Sequence, residues 1–195
     1  MAVLDDLPPF KALIFDCDGT LVLSAGLHFA AFSQALARQG AAMDAGWYAA
    51  RTGLARRDLL TELRDSACRG LDVPRAVRDS IAATAGLAAT CRANPPVLAL
   101  ARHWFGRVPM AVASNAEAEV VQAMLGACGI AALFDPVISL TEAGVAKPDP
   151  AMFLMAAAQM GVPHSDCLVL EDSDQGLQAA AAAGMPAVDV RVEKP

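Results

Sequence analysis

The sequence predicts an α/β fold: a Rossmann-like parallel sheet of five strands with helices on both faces, plus a small all-helical cap inserted after the first strand. Three observations predict it. Five short apolar runs have cores without clean polar alternation, which is how strands buried on both faces read. Helical stretches separate the later runs, and strands alternating with helices build a parallel sheet. Between the first and second runs no convincing strand occurs, and the chain there reads as helices.

In chain order, the strands are expected at 10–15 (FKALIF), 108–113 (VPMAVA), 137–140 (VISL), 167–170 (CLVL) and 186–190 (PAVDV). The helices between the later strands fall at 116–127, 149–160 and 175–183, with Gly129, Gly161 and Gly184 as C-terminal stop signals. The stretch after the first strand reads as helices at about 26–39, 45–51, 56–68, 74–92 and 95–105. The last is the crossover into the second strand, so the core is expected at 1–20 and 95–195 and the cap at 21–94. Loops at the C-terminal ends of parallel strands are where such sheets bind ligands. A helical insertion rooted there is expected to act as a lid.

Composition narrows the function. Hydrophobic residues make up 55% of the 195, enough for a sizeable core, but aromatics only 5%, which disfavours a base-stacking platform. The formal net charge of -6 disfavours non-specific binding to nucleic acid or an anionic membrane. The five cysteines are odd in number and include no Cys-x-x-Cys pair, so free thiols in a reducing compartment are expected rather than a disulfide framework or zinc knuckle. The start, MAVLDDLPPFK, has no basic segment leading into an apolar one, so no secretion signal is expected. A cytoplasmic monomer with no nucleic-acid or membrane partner is the resulting expectation.

The chemistry-bearing residues follow the strands. IFDCDGT (14–20) places Asp16 and Asp18 two apart at a strand tip, where on a continuing strand they would share a face and repel. Ser114 and Asn115 follow the second strand, Lys147 the third, and Glu171 and Asp172 the fourth. Lys147 is the only one of three lysines far from both termini. A parallel sheet delivers all four segments to one edge. Several carboxylates in one cleft require a hard cation, and Mg²⁺ takes oxygen ligands and bridges carboxylates to phosphate. A helix start after Ser114-Asn115 offers N–H donors to an anion. The set suits a phosphoryl group, with positioning and charge stabilisation as the main catalytic effects.

These segments resemble the four loop motifs of the haloacid dehalogenase superfamily of phosphotransferases: IFDCDGT, ASN (113–115), Lys147-Pro148 and LEDSDQG (170–176). The resemblance covers essentially the whole chain. Within the superfamily it is similar to the beta-phosphoglucomutase-like group, most of all to short bacterial fructose-1-phosphatase-like sugar phosphatases. The resemblance implies that Asp16 is the nucleophile forming an aspartyl-phosphate, and that Asp18 protonates the leaving alcohol and then activates water. Asp16, the Asp18 carbonyl and Asp172 would hold Mg²⁺, with Glu171 supporting its water shell. Ser114, Asn115 and Lys147 would hold the phosphoryl group and Thr20 would orient Asp18. His28, Gly53 and Arg56 would be cap contributions to substrate binding. Two positions depart from the group's pattern: Leu23 stands where an acidic residue is common, and Thr52 where the mutase has a lysine.

The expected function is a Mg²⁺-dependent phosphatase of small sugar phosphates such as fructose 1-phosphate. The alternatives are a phosphosugar mutase, which Thr52 disfavours; a dehalogenase, which Asp18 disfavours; and an inactive binding module, against which no motif is broken. Plainer roles are expected elsewhere. Cys17 should point away from the site, His103 and His164 should lie at the surface, and Met152, Met155 and Met160 should fill the core. Arg51 and Arg57 suit a solvated face, Glu142 either orients Lys147 or caps a turn, and Asp174 caps the last helix.

Overall fold

The structure, a computed structural model, describes residues 7–191; residues 1–6, in which no secretion signal is expected, and Lys194 lie outside them. Five parallel strands form one sheet: β1 (Ala12–Phe15), β4 (Met110–Ala113), β5 (Val137–Ile138), β6 (Cys167–Glu171) and β7 (Ala187–Asp189), in the order β5-β4-β1-β6-β7. A two-stranded antiparallel ribbon, not expected from the sequence, joins β2 (Val22–Leu23) to β3 (Arg92–Ala93). Two residues per strand are too few to show a period.

The pleat of β1 sorts its side chains onto two cores. Leu13 and Phe15 pack with Val112, Leu168 and Leu170 and with helices α5 (Pro95–Trp104) and α6 (Ala118–Ala127). Ala12 and Ile14 face Val169, α8 (Ala151–Met160) and α9 (Asp174–Ala182). Every residue of β1 is fully buried, as a central strand covered on both faces requires. Met152 is buried, and Met155 and Met160 pack against the second core.

Helices α1 (Ala25–Ala37), α2 (Ala45–Ala49), α3 (Arg56–Ser66) and α4 (Val73–Leu87) lie between the two ribbon strands. They bury a third apolar cluster of their own, including Phe32, Leu36, Leu59, Leu60 and Leu63. Asp44 and Asp72 start α2 and α4 by accepting from the backbone N–H groups of Trp47 and Arg75. The helix read at 74–92 is shorter: α4 ends at Leu87, and a 3-10 turn leads into β3. Among the described residues, no helix is long and apolar enough to cross a membrane.

Two local readings are corrected, and of the two roles expected for Glu142 the capping one is found. Ser173, not Asp174, caps α9, its hydroxyl accepting from Gly176 N–H, while Asp174 pairs with Arg191. Glu142 does not touch Lys147; with Ser139 it forms a capping box on the short helix α7 (Leu140–Ala143). Helix α6 begins at Ala118 instead of 116, because the Ser114 hydroxyl accepts from Ala116 N–H and turns the chain first. The arginines divide: Arg57 is exposed, Arg51 half-buried and Arg56 buried.

Candidate active site

Asp16 and Asp18 separate because the chain leaves the sheet between them. Asp16 still donates its N–H to the Leu170 carbonyl at 2.9 Å, in line with β1. Cys17 then turns into the apolar core, and Asp18 forms an isolated bridge with Val22. Gly19 makes the turn at φ +86°; a Cβ there would sit 1.9 Å from Asp172 Oδ2, so no side chain fits between the two acidic loops.

Asp16 lies at the C-terminal tip of the central strand and is buried. Lys147, also buried, donates from Nζ to Asp16 Oδ1 and Glu171 Oε2, both at 2.7 Å, and to the Ala113 carbonyl at 2.9 Å. Glu171 is fully engaged. Its Oε1 accepts from the N–H groups of Asp172 and Ser173 and from the Ser173 hydroxyl. Gly176 in the first turn of α9 lets this happen, since a Cβ there would fall 1.9 Å from the Glu171 carboxyl carbon. Asp16 Oδ2, by contrast, is buried with no hydrogen-bond partner among the described residues. Oxygens of Asp16, Glu171 and Asp172 lie within 4.8 Å of one another.

Three carboxylates around one lysine leave an excess of negative charge. Burial first, then the Glu171 charge, push the Asp16 carboxyl well above the usual carboxylate range against the pull of Lys147. The same two causes raise Asp172 to about 6. Burial would lower Lys147, but Asp16 and Glu171 outweigh it and hold the ammonium charged. An unpartnered buried carboxylate oxygen beside two further carboxylates is the donor set a hard divalent cation takes.

Asp18 is in different surroundings. Its Oδ1 accepts from the Ser24 hydroxyl at 2.7 Å and lies 2.6 Å from His28 Nε2; its Oδ2 accepts from Ser114 at 3.4 Å. Burial disfavours the charge, yet His28, Ser24 and Arg56 together hold its carboxyl at about 2. Ser24 precedes α1 as an N-cap residue would, but its hydroxyl serves Asp18 and makes no cap bond. That use was not visible in the sequence, where Ser-x-x-x-His resembles any helix start.

The remaining expected residues are brought to the same place, some in unexpected roles. Thr20 and Ser114 are fully buried, and Thr20 donates to Asp172 at 3.3 Å instead of orienting Asp18. The Asn115 side chain is a clamp: Oδ1 accepts from Lys147 N–H at 2.8 Å, while Nδ2 donates to the Gly53 carbonyl at 3.1 Å. Gly53 sits at φ +94°, and a Cβ would come within 2.8 Å of Ser173 Cβ. Arg56 donates from Nε to Glu117 at 3.0 Å and from Nη1 to Ser80 at 3.1 Å, with its guanidinium 5.1 Å from the Phe32 ring centroid. A cavity of about 280 Å³ runs from Asp16 and Asp172 to the helical insertion, where His28, Tyr48 and Arg56 line it opposite Glu117 from the N-cap of α6. Glu117 and Tyr48 were not foreseen; nothing in sequence spacing links them to the strand-tip motifs.

Comparison with known proteins agrees with this architecture. The family model for haloacid dehalogenase-like hydrolases matches residues 10–184. The chain is 33% identical over 183 residues to fructose-1-phosphate phosphatase YqaB of Escherichia coli (strain K12), covering 94% of this chain and 97% of that protein. It is 30% identical over 192 residues to a phosphoglycolate phosphatase of Pectobacterium atrosepticum, covering 94% and 81%. The crystal structure of CbbY from Rhodobacter sphaeroides in complex with phosphate superposes with a TM-score of 0.82 at 25% identity, covering 91% of this chain and 84% of that one.

Proposed function

The chain belongs to the haloacid dehalogenase-like hydrolase family, and from that premise we propose that it is a Mg²⁺-dependent phosphatase of small sugar phosphates, acting through an aspartyl-phosphate. The observation that carries this is Asp16: one carboxylate oxygen is fixed by Lys147, and the other is buried in the cavity lining without a partner among the described residues. A nucleophile needs one held and one free oxygen. The similarity to a fructose-1-phosphate phosphatase along nearly the full length of both chains supports the substrate class.

The residues divide the work. Asp16 Oδ2 attacks phosphorus as the ester P–O bond breaks. Lys147 holds Asp16 in place and faces the incoming phosphoryl oxygens with a fixed positive charge. Asp18, hydrogen-bonded to His28 across 2.6 Å, is the acid–base group: it delivers a proton to the departing alkoxide and then takes one from the water that cleaves the aspartyl-phosphate. Asp16, Asp172 and the Asp18 carbonyl are the groups that would hold Mg²⁺, with Glu171 behind them, both its oxygens occupied. Bound there, the ion supplies charge neutralisation to the phosphoryl oxygens. The helical insertion serves as a cap over the leaving group. Gly53 and Asn115 join it to the loop carrying Lys147, and its lining sets a space suited to a monosaccharide.

The test is free-phosphate release from a panel of phosphate esters, with and without Mg²⁺, together with acid-trapping of labelled phosphoenzyme. Activity on sugar phosphates that requires Mg²⁺ and passes through label on Asp16 is expected. Full turnover after exhaustive metal removal, or better turnover of phosphopeptides than of any sugar phosphate, would overturn the reading.

A further inference from the structure

We propose that the buried Arg56–Glu117 pair is the specificity determinant that makes this site select sugar monophosphates over sugar bisphosphates; the inference rests on the sugar-phosphatase reading above.

It follows from the charges around the cavity. Among the described residues, four basic side chains line it: Lys147, His28, Arg51 and Arg56. Each already faces a carboxylate. Lys147 lies 2.7 Å from both Asp16 and Glu171, His28 2.6 Å from Asp18, Arg51 2.7 Å from Glu62 and Arg56 3.0 Å from Glu117. The first two pairs belong to the end where the ester phosphate reacts. A second phosphate, carried at the other end of a sugar, would have to be received by Arg51 or Arg56.

These two differ in how firmly they are held. The Arg51–Glu62 pair is solvent-exposed, with side-chain exposures of 28% and 45%, so water and salt screen it and it contributes little field to the cavity. Arg56 and Glu117 are exposed by only 4% and 18%. Arg56 has committed Nε to Glu117 and Nη1 to Ser80, so on each edge of the guanidinium one of the two nitrogens that would grip a phosphate bidentately is already engaged. Releasing it would leave the carboxylate of Glu117 poorly solvated and beside a phosphate dianion. The far wall therefore carries one positive and one negative charge at short range, which sums to no attraction for a dianion. It still offers donors and acceptors to neutral hydroxyls. Glu117 reaches this wall from the N-cap of α6 and Arg56 from the first turn of α3, so the pair also spans the sheet domain and the insertion.

The experiment measures how fructose 1-phosphate and fructose 1,6-bisphosphate compete with p-nitrophenyl phosphate turnover in the wild type, Glu117→Gln and Arg56→Gln, with a thermal melt of each to show that it is folded. In the wild type the bisphosphate should compete at least about tenfold more weakly than the monophosphate, because its second phosphate must be desolvated against a wall with no net charge to receive it. Glu117→Gln leaves a net positive charge and should shift the ratio towards the bisphosphate by about tenfold; Arg56→Gln leaves a net negative charge and should shift it the other way. The two shifts have opposite sign, so either folded variant decides the matter alone. Equal competition by both sugars in the wild type, or an unchanged ratio in a folded variant, overturns the selectivity while leaving the sugar-phosphatase reading intact. If neither sugar competes, that reading falls and this inference with it.

Discussion

Asp16 and Asp18 carry the same side chain two residues apart and are tuned in opposite directions. Burial and Glu171 raise Asp16, whereas His28, Ser24 and Arg56 hold Asp18 at about 2 in spite of burial. Such a division between neighbouring carboxylates is how one site assigns different chemical roles. Asp16→Asn should abolish phosphoenzyme on every substrate, read by acid-trapping. Asp18→Asn should keep the nucleophile and lose proton transfer, a loss of roughly 10²–10⁴-fold on alkyl phosphates. The loss should be much smaller on aryl phosphates, whose leaving groups need little protonation. Because His28 positions the Asp18 carboxyl from 2.6 Å, His28→Ala should show the same alkyl-over-aryl pattern. Equal losses on both classes in rate assays would contradict the acid–base role of Asp18.

At the scale of elements, the site exists because glycine backbone approaches neighbouring side chains more closely than a Cβ allows. Gly176 lets α9 start against Glu171, and Gly53 lets the insertion settle on Ser173. Gly176→Ala should push Glu171 off Lys147, with overpacking of about 1–3 kcal/mol read as a lower melting temperature and a matching loss of turnover. Gly53→Ala adds strain at positive φ of about 1–2 kcal/mol on top of the Ser173 contact. It lies far from the sheet's core, so the fold should survive. The expected result is a fall in kcat/KM for sugar phosphates of up to about 10²-fold, the usual effect of misplacing a positioning element, with aryl phosphate affected less.

For the whole molecule, the acidic cluster ties stability to pH and, on the proposed reading, to metal. If Mg²⁺ is held by the assembled site and not by the unfolded chain, saturation a hundredfold above Kd should stabilise the fold by about 2.7 kcal/mol, seen as a rise in Tm that EDTA reverses. In EDTA, Asp172 has the opposite effect. Its carboxyl sits at about 6 rather than the ordinary 3.8, so between these values the native state retains a proton that the unfolded chain has released. Stability is therefore lost as pH rises through that window. Asp172→Asn should be neutral relative to wild type below the window and more stable above it by about 1–2 kcal/mol, while losing the Mg²⁺-induced rise. A constant offset at all pH values in denaturation curves would show that Asp172 is not the group responsible.

The sequence by itself determined the sheet, its helices and the residues at its strand tips. Those features are local: apolar runs such as ALIF, stop signals such as Gly161, and motifs that a parallel sheet must carry to one edge. It also marked Asp16, Asp18, Lys147, Glu171 and Asp172, because charge on the rim of a buried sheet stands out from its surroundings. Only the tertiary structure decided the partners. That Ser24 serves Asp18, that Thr20 turns to Asp172, that Asn115 clamps Gly53 and that Glu117 neutralises Arg56 depend on contacts between residues up to 152 positions apart. Hydrogen bonds and ion pairs of that kind leave no period or spacing in a sequence. They are fixed by where the packed sheet and the helical insertion bring unrelated segments within 3 Å or so of each other, the range over which a polar side chain finds its partner.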